Sequence, residues 1–143
     1  MKTKFSDLLK LKDRKVKEIE RALSIKIDEL RSAKIKQEDI VNKINEFQTD
    51  KSGEIGVYQV QKSYFNLLID KKDEILSKIN RIESKIETLR TEYKEASIEY
   101  EKILYLHKEE KKLILDEIKS KESKMMDEVA NILFNKKSHK ESL

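Results

Sequence analysis

The sequence predicts an all-α fold, an antiparallel two-helix coiled-coil hairpin with a long C-terminal helical overhang. Three observations predict it. Apolar residues recur on a seven-residue period through two long stretches. The composition is 42% charged and 37% hydrophobic with no proline, which suits long solvated helices. Both glycines of the chain fall in one short break between the two periodic stretches. High charge without periodicity would instead mean disorder, so the repeat decides the class.

The first helix is expected over about residues 5–47. One series runs Phe5, Lys12, Ile19, Lys26, Ala33, Ile40, Phe47, and a second runs Leu9, Val16, Leu23, Leu30, Gln37, Ile44. Interleaved, they alternate steps of four and three, and ten of the thirteen positions are apolar. That alternation lays the positions along one stripe of a slightly underwound helix, the seam of a coiled coil.

A loop follows at about 48–56. The segment Gln48-Thr49-Asp50-Lys51-Ser52-Gly53-Glu54-Ile55-Gly56 holds the two glycines together with Asp and Ser, residues that end helices and begin turns. With so little glycine and no proline, the chain is expected to reverse here and nowhere else.

The second helix is expected over about 57–134, with a polar tail at 135–143 and the whole of 1–143 forming a single coiled-coil domain. Its seam reads Phe65, Leu68, Lys72, Ile75, Ile79, Ile82, Ile86, Leu89, Tyr93, Ala96, Tyr100, Ile103. Eleven of these twelve are apolar, where the chain-wide fraction would supply roughly four or five.

At 1.5 Å per residue the two arms measure ~65 Å and ~115 Å. Folded together, 5–47 are expected to pair with 57–100, leaving about 101–134 without a partner. Past Ile103 the apolar face changes phase: Glu110, Ile114, Ile118, Glu122, Met125, Val129, Ile132 include consecutive steps of four, which swing the stripe around the helix. A lone helix with such a face is marginal in water, and its wet apolar area forgoes roughly 25 cal/mol per Å², so a partner is expected to cover it. The spacing leaves two occupants open, a second copy or a different protein.

No reaction is legible. The adjacent carboxylates Glu109-Glu110, Asp116-Glu117 and Asp127-Glu128 point about 100° apart on a helix and do not converge as an acid–base pair. His107 lies on the seam series Tyr100, His107, Ile114 with no second histidine near it, so a register-setting polar seam residue is expected rather than a metal ligand. There is no cysteine and no glycine-rich phosphate loop, and no cofactor or metal is expected. The net charge is +4; residues 1–36 carry twelve basic and six acidic side chains, with Lys12, Arg14, Lys15 and Lys17 the densest basic cluster. Interspersed acids make this a solvated face rather than a nucleic-acid surface. The longest apolar runs are triplets, far short of the ~20 residues of a membrane span, and no signal-peptide pattern opens the chain, so a cytoplasmic protein without membrane insertion is expected. Four of the nine aromatics, Phe47, Tyr58, Tyr64 and Phe65, gather at the break and are candidates for a contact surface at the tip.

The two ends carry more specific patterns. Phe5-Ser6-Asp7-Leu8-Leu9-Lys10-Leu11-Lys12 near the start and Glu122-Ser123-Lys124-Met125-Met126-Asp127-Glu128-Val129-Ala130 near the end resemble the opening and the C-terminal signature of the flagellar type III export protein FliJ family. Length and the single break agree with it. The resemblance implies a non-enzymatic stalk or adaptor of the export apparatus, similar to the central stalk of rotary ATP synthases. It implies as partners the hexameric flagellar export ATPase, an export-gate membrane protein met from its cytoplasmic side, and export chaperones whose recycling it assists. It places Leu8, Leu9, Met126, Asp127, Val129 and Ala130 as candidate ATPase contacts, to which Met125, Ile132 and Leu133 of the same apolar stretch are added, with Phe47, Tyr58, Tyr64 and Phe65 as candidates for the gate. The competing expectation is a homodimeric cytoplasmic coiled-coil scaffold.

Overall fold

The computed structural model describes residues 1–47 and 55–141, with side chains as far as Lys137. The chain folds as a helical hairpin of α1 (Ser6–Glu46) and α2 (Ile55–Glu141). Its contacts divide it into two compact units. One is Lys15–Ser97; the other joins Met1–Arg14 to Ile98–Leu143, so α2 contributes to both.

In the Lys15–Ser97 unit the two helices run antiparallel. Ile19 packs with Leu89 and Ala96, Ala33 with Ile79, Ile82 and Ile86, and the Phe47 ring lies beside Tyr64 and Phe65 at 6.1 and 5.2 Å between centroids. Every seam position expected in this stretch is buried or half-buried. Ala33, the most buried of them, has only a methyl group, and three isoleucines close around it. A core one layer thick leaves each side chain an edge on water, and among the described residues no large side chain is fully enclosed. Polar support at the rim is light. Tyr93 donates to Glu20 at 3.2 Å, and the exposed Lys34–Glu83 pair spans 3.9 Å, a separation at which solvent screening leaves little.

The pairing differs from the sequence expectation. Phe47 sits beside Tyr64 and Phe65 rather than at the level of residue 57, about one heptad further along α2. The physical reason is that a seven-residue slide leaves a heptad seam matched to itself, so periodicity alone leaves the register open. Individual contacts such as the Phe47 ring cluster exist in one register and not in its neighbours.

The break expected at 48–56 falls mostly on 48–54, outside the described residues. Ile55 and Gly56 belong instead to the first turn of α2, and a Cβ added at Gly56 would meet nothing within 4 Å. At its other end α2 continues to Glu141, through residues assigned to a polar tail. Nothing in 135–141 stops a helix: there is no glycine or proline, and lysines near a helix C-terminus interact favourably with its dipole.

In the unit that joins Met1–Arg14 to Ile98–Leu143, Thr3 caps α1. Its hydroxyl accepts from the Phe5 N–H at 3.1 Å, while Ser6 Oγ accepts from the Thr3 N–H at 2.8 Å, a reciprocal box that satisfies two otherwise orphaned donors. Asp7 in the first turn adds a favourable charge at the positive end of the helix. Along α2 the seam continues through Tyr100, Ile103, His107, Glu110 and Ile114, each buried or half-buried. From 115 to 137 every side chain is exposed. The unpartnered stretch therefore begins about fourteen residues later than the expected residue 101, because Thr3 pairs at His107 and the α1 end covers more of α2 than a tip-first count allowed.

Candidate docking face of the second helix

The exposed stretch owes its helical form to α2 itself. Its Leu, Lys, Glu, Met and Ala residues are strong helix formers, and α2 enters it already nucleated, so each further residue adds only the cost of propagation. Along it Leu115, Ile118, Met125, Met126, Val129, Ile132, Leu133 and Phe134 are 44–73% exposed. Met125, Met126, Val129, Ala130 and Leu133 adjoin at helical spacing and line a shallow apolar strip. The two thioethers are flexible and polarizable, which suits a face that moulds to a partner. Lys121, Lys124, Asp127 and Glu128 border the strip as a mixed-charge rim. About 23 residues in this state make roughly 35 Å of wet apolar helix, well beyond the scattered single exposures normal on a surface.

Where this stretch begins, the seam ends on polar groups. Thr3 Oγ1 lies 2.7 Å from Nδ1 of the buried His107, within hydrogen-bond distance, and the same oxygen accepts from the Phe5 N–H. One interaction thus ties the start of α1 to α2. Sequence reasoning found His107 but missed Thr3, although a Thr-x-x-Ser box just before an apolar series is a helix-start signal. One turn on, Glu110 keeps a buried Oε2 with no hydrogen-bond partner.

The structure does not gather the candidate ATPase contacts into one patch. Met125, Met126, Asp127, Val129, Ala130, Ile132 and Leu133 all stand exposed on the free stretch. Leu8 is exposed on α1, but Leu9 beside it is half-buried on the seam. Thr3 is level with His107, and Leu8 and Leu9 lie on the far side of that level. Eighteen residues of helix, ~27 Å, separate His107 from Met125. The aromatic candidates divide as well. Phe47, Tyr64 and Phe65 pack on one another, while Tyr58 stands exposed together with Ile55, Val57 and Val60. A further exposed group, Tyr105, Leu106 and Leu113, flanks the α2 seam and went unnoticed because seam counting looks only at core positions.

Among the described residues no group of three or more His, Asp or Glu side chains is placed to hold a metal ion. No described helix is long and apolar enough to cross a membrane. What the geometry offers is a surface for binding.

A family profile described as flagellar FliJ protein matches residues 1–139 of the 143. The chain belongs to the FliJ family. No curated protein and no solved structure matches it. Membership makes it a component of the flagellar export apparatus, and FliJ is a non-catalytic component. The match takes in the α1 start, the whole hairpin seam and the exposed face of α2, so the docking geometry described above lies within the family region.

Proposed function

We propose that this FliJ protein is a cytoplasmic, non-enzymatic stalk and adaptor of flagellar export that docks the free end of α2 into the hexameric export ATPase. The observation that carries this is the run of exposed apolar side chains over 115–134, which no described segment of the chain covers. A ring of six subunits has an axial opening, and a single helix ~10 Å across is slender enough to enter it. Burying the Met125–Leu133 strip there would supply the apolar gain, with Asp127 and the bordering lysines setting orientation at the polar rim. Leu8 and Leu9, at the level of the α1 start, would meet the mouth of the ring rather than its channel. The export-gate protein would be met by the exposed residues at the start of α2, Tyr58 with Val57 and Val60, and export chaperones would be received on the remaining hairpin surface.

Removing 121–143 tests the reading. The deletion leaves every buried seam residue in place, so hairpin melting should change little while co-purification with the export ATPase of the same organism is lost. Undiminished ATPase binding by the shortened chain refutes it.

A further inference from the structure

We propose that the free stretch of α2 pairs antiparallel with the same stretch of a second copy of this chain, in one defined register. Its core positions are Leu115, Ile118, Glu122, Met125, Val129 and Ile132, separated by alternating steps of three and four, a clean heptad seam that starts where the hairpin seam ends. Flanking them on one side are Lys121 and Glu128. A parallel pair would stack Glu122 on Glu122 in its core. Antiparallel pairs avoid this and come in registers one heptad apart. One of these sets Lys121 against Lys121, and another sets Glu128 against Glu128.

The register between them is self-complementary. Lys121 of each copy faces Glu128 of the other, twice by symmetry. Leu115 meets Ile132, Ile118 meets Val129 and Glu122 meets Met125, so all six core positions are covered. On the other flank the aliphatic stem of Lys119 lies over Met126. Charges beside a seam set orientation and partner choice, and this is the register in which they attract.

The register also brings Lys136 level with Lys111, a repulsion that falls outside the six core positions. The second copy would occupy the seam of α2 from the place where α1 vacates it. Because pairing and ATPase docking use one face, they exclude each other, and the pair is a covered resting form. The pairing does not depend on the ATPase reading and is measured without the ATPase.

Sedimentation equilibrium of the full chain tests it. The expected result is a monomer–dimer equilibrium that Lys121→Glu alone or Glu128→Lys alone weakens roughly tenfold, as two attractive surface pairs become repulsive. Combining the two substitutions should restore the affinity to within about threefold of the parent, since the pair is only reversed. Orientation is read by oxidising an equal mixture of Ile118→Cys chain and Val129→Cys chain, which the register joins as mixed disulfides. A chain that stays monomeric throughout, single variants as tight as the parent, a double variant no tighter than the singles, or disulfides between identical chains overturns the proposal.

Discussion

Replacing Ile86 by alanine removes three carbons from the cluster that holds Ala33, Ile79 and Ile82, where Ile86 is 5% exposed. At about 0.8 kcal/mol per buried carbon the transfer loss is about 2.4 kcal/mol. A residual cavity would add to that, but neighbours in a one-layer core are free to settle inward, which keeps the total near 2.5–3 kcal/mol, at the low end for such a truncation. Ile132→Ala makes the same chemical change on the same helix at a position 65% exposed. Most of its surface is already wet, so the loss should stay within about 0.5 kcal/mol. Urea unfolding followed by far-UV circular dichroism, at concentrations where the chain is monomeric, measures both through a shift of the midpoint at constant slope. ATPase co-purification should rank the two in reverse, with Ile132→Ala the weaker binder. Equal stability losses at the two sites, or none at Ile86, would refute the assignment of core and docking face.

Two other substitutions probe the ends of the hairpin. Thr3→Val removes both the α1 cap and the partner of His107, and should cost about 1–2 kcal/mol, seen as faster amide hydrogen exchange through the first turn of α1. Phe47→Ala opens the ring cluster with Tyr64 and Phe65 and should cost about 1–2 kcal/mol, because Phe47 is only half-buried; unchanged urea midpoints would show that these aromatics do not hold the helices together.

Much of this architecture was legible before any coordinate. The heptad series named seam residues from Phe5 to Phe47 and from Phe65 to Ile103, and each is buried or half-buried. Two helices, their antiparallel packing and an unpartnered apolar run on the second follow from that periodicity, from the position of the glycines and from the inequality of the arms. The FliJ resemblance read at the two ends agrees with a family match over 1–139. Less legible were the ends of the elements. Gly56 reads as a turn residue but sits in a helix, since a glycine permits a turn without requiring one.

What the amino-acid order determined by itself is local and periodic: that two long stretches are helical, and which face of each helix is apolar. What only the tertiary structure decided is the register. It set Thr3 against His107 and Phe47 against Tyr64 and Phe65, and it moved the start of the free stretch from residue 101 to residue 115. A seam that repeats every seven residues is indifferent to a slide of seven, so the repeat that reveals a coiled coil also conceals its alignment. Only non-repeating contacts, a hydroxyl meeting an imidazole or three rings meeting at a tip, break that degeneracy.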